Sequence, residues 1–234
     1  MKFLLPLILF CAQLAFGQND VILDQIKTMP QGGGYSISQL AQSNLQKSVA
    51  SSMGALTVVP HSPQFCSGAT YLVFLKTIEI LREKRGFYLD ANTLLIKGQP
   101  DGTGIWGRWN ANGPGTARLF YEMGLGKNFT DYNEAKPGDF MKIFWTSEVG
   151  KLEHGHSVIY LGQEDDNVKF WSSNIPGGYG IKTVPQSKIV RVIFSRLEHP
   201  ENINKIIPTT DCYLAALGTE RSTFEEAKIK TGIP

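Results

Sequence analysis

Behind Cys66 runs an apolar stripe. Tyr71, Phe74, Leu75, Ile78 and Leu81 recur at spacings of three and four, the pattern of a helix buried along one side. Arg85-Gly86 closes it with a basic last turn and a glycine just beyond, and Ser62-Pro63 marks its entry. The helix therefore opens at Phe65-Cys66-Ser67-Gly68-Ala69-Thr70. A sulfur on that first turn lies where unpaired backbone N–H groups and the positive dipole end favour an anion. Such a setting converts a thiol with an ordinary pKa of about 8.5 partly into thiolate, its reacting form. Ser67, Gly68 and Ala69 leave room for a carbonyl beside it, so Cys66 is the candidate nucleophile.

From Lys136 onward the texture changes. Residues 140–145, 157–161, 168–171 and 190–194 are rich in β-branched and aromatic side chains, with turn residues between them, and read as strands. Helices first and strands afterwards predict an α+β domain with an antiparallel sheet. Two of the strands flank Glu164-Asp165-Asp166-Asn167 and form a hairpin. With the turn centred near Asp165, His156 faces Asn174, Val158 faces Ser172 and Tyr160 faces Phe170. Directly opposed side chains lie roughly 5 Å apart. An asparagine carbonyl is suited to hold one imidazole nitrogen while the other faces the sulfur. Cys66, His156 and Asn174 thus make a candidate nucleophile, base and orienting group. A register shift of a residue or two would substitute His154 or Ser172.

Residues 19–29 and 36–46 read as short amphipathic helices separated by Gly32-Gly33-Gly34-Tyr35, and 53–59 is ambiguous between a helix end and a strand. The glycine-dense stretch 98–115 reads as a long loop whose Trp106 and Trp109 either line a cleft or pack the loop down. Residues 116–123, 213–217 and 224–229 read as further helices. At the start, Met1-Lys2 precedes an apolar run to Phe16 and then Gly17, the layout of a secretory signal peptide. The run is too short and wrongly flanked for a transmembrane span. Cleavage after Gly17 makes the mature chain secreted or periplasmic, without a membrane anchor. The domain plan is then a signal peptide over 1–17, a helical extension over 18–60, a catalytic domain over 61–200 and a C-terminal helical extension over 201–234.

With 23 basic and 21 acidic residues, the chain offers no electrostatic case for nucleic acid or an anionic membrane. After cleavage only Cys66 and Cys212 remain, and in an oxidising compartment they either pair or stay free. Cys212 precedes an apolar helical run and reads as a buried structural thiol. His154-x-His156 puts two imidazoles on one strand face, as in some zinc sites, but neither His61 nor His199 stands at a metal-ligand spacing. No metal and no organic cofactor is expected.

These motifs together resemble the papain-like cell-wall hydrolases, the NlpC-like peptidases and CHAP amidases. Phe65-Cys66-Ser67-Gly68 resembles their Asp-Cys-Ser-Gly signature at the head of a central helix. Lys136-Pro137-Gly138-Asp139-Phe140 resembles the Pro-Gly-Asp that leads into the first sheet strand. His156-Ser157-Val158-Ile159-Tyr160-Leu161-Gly162 is similar to their His-Val-Gly-Ile-Tyr-Leu-Gly strand, and Asn174 falls where they place a third, orienting residue. The likeness covers roughly residues 62–194 and is thin between 85 and 134. It departs at Phe65, in the tryptophan-rich insertion and at both ends. The resemblance implies a papain-like fold, with the nucleophile's helix packed on an antiparallel sheet. It also implies a cysteine peptidase or amidase that cleaves an amide bond in peptidoglycan stem peptides through Cys66, His156 and Asn174. Tyr35 corresponds to a tyrosine that reaches into the site in many relatives. Ser67 and Trp109 complete the expected substrate-binding residues. Two other readings stay open: a non-catalytic glycopeptide-binding module using Trp106 and Trp109, and an acyltransferase with the same triad.

Overall fold

The computed structural model describes residues 17–234, so the expected signal peptide lies, up to Phe16, outside the described residues. The first half of the chain runs α1 (Gln18–Lys27), β1 (Gly32–Gly33), α2 (Gln39–Lys47), β2 (Val49–Ser52), β3 (Ala55–Val58), α3 (Cys66–Arg85), α4 (Gly104–Asn110) and α5 (Gly115–Met123). Then come β4 (Gly126–Phe129), β5 (Phe140–Phe144), β6 (Val149–Gly150), β7 (Gly155–Glu164), β8 (Asn167–Asn174), β9 (Gly178–Pro185) and β10 (Arg191–Leu197). The tail holds α6 (Cys212–Ala216), β11 (Arg221–Ser222) and α7 (Phe224–Lys230). Seven strands form one antiparallel sheet in the order β1-β9-β8-β7-β5-β10-β4, and the class is α+β.

Helix α3 begins at Cys66 and stops at Gly86, whose φ of 72° lets its N–H reach the Arg82 carbonyl. Its apolar surface is wider than a single stripe, because Leu72, Val73 and Thr77 are buried along with the expected five residues. The reason is position: α1 packs against α3, and β7 and β8 also lie against it. Over residues 67–75 the helix is enclosed on every side, so apolar side chains recur on every side there, while its last turns carry charge. Phe140, Ile159 and Trp171 share the core of α3, whereas Met141, Val158, Tyr160, Phe170 and Phe194 form a separate cluster. That division follows the two-residue alternation of strands.

The hairpin β7–β8 turns at Asp165-Asp166, and a bulge between Tyr160 and Gly162 shifts its register by one. Tyr160 consequently pairs with Phe170 and Ile159 with Trp171. Several sequence expectations change. Residues 53–59 resolve into β3, paired with β2. The stretch 98–115 is not one long loop, since α4 lies within it. Strands β4 and β9 were not anticipated. Residues 18–60 are not purely helical: they supply β1 to the main sheet, and Val21, Ile22 and Leu45 join the core of α3.

Candidate active site

The fold delivers Cys66 on the first turn of α3, His156 as the second residue of β7 and Asn174 as the last residue of β8. The last ladder pair between β7 and β8 is Ile159–Trp171, and beyond it side chains join the strands. Ser172 Oγ donates to the Ser157 carbonyl at 2.7 Å, and His156 Nε2 lies 3.1 Å from Asn174 Oδ1. The Asn174 amide is fixed, because its Nδ2 donates to the carbonyls of Ser172 (3.2 Å) and Gly180 (2.8 Å). Its oxygen must therefore be the atom facing the ring, which assigns the proton to Nε2 and leaves Nδ1 for the sulfur. The imidazole is steadied by Phe170, edge-on at 5.7 Å, and by Trp145 at 6.3 Å.

Cys66 is half-buried, and burial by itself pushes its thiol up. The charge and hydrogen bond of His156, the Ser157 backbone N–H and the charge of Lys142 outweigh that, lowering it from 9.0 to about 6. The balance of these influences favours the thiolate. Lys142, on β5, is held 2.6 Å from Glu153 Oε1. The other oxygen of Glu153 accepts from Gly113 N (2.6 Å) and Gly150 N (3.0 Å). Sequence reasoning missed this lysine; its signal was a lone cation between Met141 and Ile143 in an otherwise apolar strand.

Tyr35 is brought to the same sulfur. Its N–H donates to the Pro176 carbonyl at 3.3 Å, and its neighbours exchange bonds with Gln64: Gln64 N to Gly34 O at 3.3 Å, and Ser36 N to Gln64 O at 3.2 Å. Gly33, at φ 84°, permits this close approach, because a Cβ there would run into Ser62. Burial, the Cys66 charge and a hydrogen bond to Cys66 all raise the Tyr35 phenol, which keeps it a donor. The N-cap of α3 is Phe65, which gives no side-chain oxygen to the first-turn N–H groups.

Other expected residues are placed differently. Trp109 is 1% exposed and does not line a cleft. It packs against Phe74 (4.7 Å) and Phe140 (5.1 Å), and its Nε1 donates to Ser67 O at 3.1 Å. It braces the first turn of α3 from inside the core. The Ser67 hydroxyl is likewise committed, donating to Asn110 Oδ1 at 2.7 Å. His154 is exposed and Ser172 is bonded to Ser157, so neither replaces a triad member. Cys66 and Cys212 are both free, and Cys212 is exposed rather than buried, because α6 turns Leu214 inward instead. Among the described residues no three His, Cys, Asp or Glu side chains converge as a metal-binding group. In comparisons with known proteins, no family model, curated protein or solved structure matches this chain.

Proposed function

We propose that the chain is a papain-like cysteine hydrolase that cleaves an amide bond, with peptidoglycan stem peptides as its substrate. One observation carries the reading: an imidazole whose Nε2 is held by a doubly anchored asparagine, with its remaining nitrogen turned to a thiolate at a helix start. Cys66 attacks the carbonyl carbon. The oxyanion is met by the uncapped N–H groups of the first turn and by the Tyr35 hydroxyl. His156, now imidazolium, gives its proton to the leaving nitrogen, and the C–N bond breaks. The same ring then takes a proton from water, which attacks the thioester and releases the acid and the thiol. Lys142 supplies fixed positive charge that favours the resting thiolate.

The apolar start of the chain supports export to a wall-facing compartment, and no described helix is long and apolar enough to cross a membrane. Trp109, one of the two tryptophans that a glycopeptide-binding module would use, is enclosed in the core. The test is digestion of purified sacculi followed by mass spectrometry of the released peptides. Wild-type protein should release fragments with a new amino terminus, whereas Cys66→Ala should release none and keep its circular dichroism. Equal release by Cys66→Ala ends the reading.

A further inference from the structure

A cavity of about 180 Å³ opens alongside the first turn of α3. Phe65, the residue ahead of Cys66, and Trp106 form an aromatic wall with ring centroids 6.2 Å apart, and the buried Leu45 and Ile96 lie beneath. Gln42 and Gln46, one turn apart on α2, stand at the rim. Both are exposed, and neither side-chain amide has a hydrogen-bond partner among the described residues. The two other amides of the lining are already engaged: Asn110 with Ser67 and Asp101, Gln99 with Lys97 N and Leu95 O. No ionisable side chain lines the cavity.

We propose that this cavity is a substrate subsite for an uncharged, amide-bearing group; its catalytic role rests on the hydrolase reading, but its binding does not. Each free glutamine presents both a donor and an acceptor, which is the complement of an amide. The aromatic wall takes the apolar side of the same group. A carboxylate placed there would lose hydration with no cation to compensate it. Two sources carry this chemistry, the acetamido group of an N-acetylated amino sugar and the carboxamide of an amidated peptide. Phe65 in its wall is the residue before Cys66, and Asn110 in its lining holds the Ser67 hydroxyl, so the cavity adjoins the turn that carries the sulfur.

The test is an NMR titration of ¹⁵N-labelled Cys66→Ala protein with N-acetylglucosamine, with a glutamine tripeptide and with the matching glutamate tripeptide. The sugar, the glutamine peptide or both should shift the Trp106 indole and the side-chain amides of Gln42 and Gln46, and which of them binds names the source. The glutamate peptide should bind about tenfold more weakly, and the Gln42→Ala/Gln46→Ala pair should cost a similar factor, the worth of one or two neutral hydrogen bonds. Both glutamines are exposed, so the double variant keeps its fold. Equal binding of the glutamine and glutamate peptides, or no shift at Trp106 with any of the three, overturns the proposal. The titrated chain lacks its nucleophile, so failure of the hydrolase reading appears in the sacculus digest and leaves this outcome unaffected.

Discussion

Replacing His156 by alanine should cost the protein its reactive sulfur at neutral pH. In the intact site the Cys66 thiol sits at about 6 instead of 9.0. At pH 7 that difference separates about 90% thiolate from about 1%, a nearly hundredfold change in the population able to react. The substitution removes the imidazole's charge and hydrogen bond, while burial, which pushes the thiol up, stays in place. Only the Ser157 N–H and Lys142 remain to oppose burial. The inflection of the alkylation rate with pH should therefore climb above about 8. The assay is iodoacetamide labelling from pH 4.5 to 10, read by intact mass. It uses a chain with Cys11 and Cys212 both replaced by serine, so that all label reports Cys66. Lys142→Met in the same background should move the inflection upward by less. A wild-type inflection at 8 or above, or an unmoved inflection in His156→Ala, would refute the reasoning.

Asn174→Ala should lower kcat by about 10²-fold with little change in KM, because the ring loses its orientation, and steady-state kinetics will read the split. The same change strips donors from two carbonyls and should cost about 1–2 kcal/mol in urea unfolding. Tyr35→Phe should reduce turnover by about 10²-fold, as expected for one lost oxyanion donor, with unchanged circular dichroism. Trp109→Ala should destabilise the fold by about 3–5 kcal/mol, measured by denaturant midpoint, since the indole is fully enclosed. Asp211 is held below the usual carboxylate range: burial pushes it up, but the Leu214 N–H and Arg118 outweigh burial. A depressed carboxylate contributes fully above its unfolded pKa and loses that contribution as pH falls through the folded one. Asp211→Asn should thus cost about 1–2 kcal/mol at pH 7 and progressively less toward pH 3, read by urea unfolding at both ends.

The hairpin was legible because an acidic turn separates two apolar runs rich in β-branched and aromatic residues. The expected pairing of Tyr160 with Phe170 holds for a compensating reason. The true turn is the pair Asp165-Asp166, and the extra residue at the bulge brings the register back by one. Strand β9 was hidden because Pro176-Gly177-Gly178 reads as a turn with nothing ordered behind it, and the strand sits near the sheet edge with half of its residues exposed. The tryptophans misled for a related reason. Glycines around them look like loop residues, yet a Cβ at Gly107 would run into the Pro100 carbonyl and one at Gly115 into that of Arg108. These glycines mark tight packing of the chain against its own backbone about two helical turns earlier, which glycine content alone does not distinguish from a loop. Lys142 was overlooked because its effect on the sulfur comes through space, and the Pro-Gly-Asp motif of its strand ends before it.

The anchoring of Asn174 also sets an order of events. One of the two carbonyls that fix its amide belongs to Gly180, on the strand that follows it. Cys66 precedes that strand by more than a hundred residues, and without β9 the Asn174 amide lacks one of its two anchors. On the proposed hydrolase reading, the imidazole gains its full anchorage only when β9 has joined the sheet.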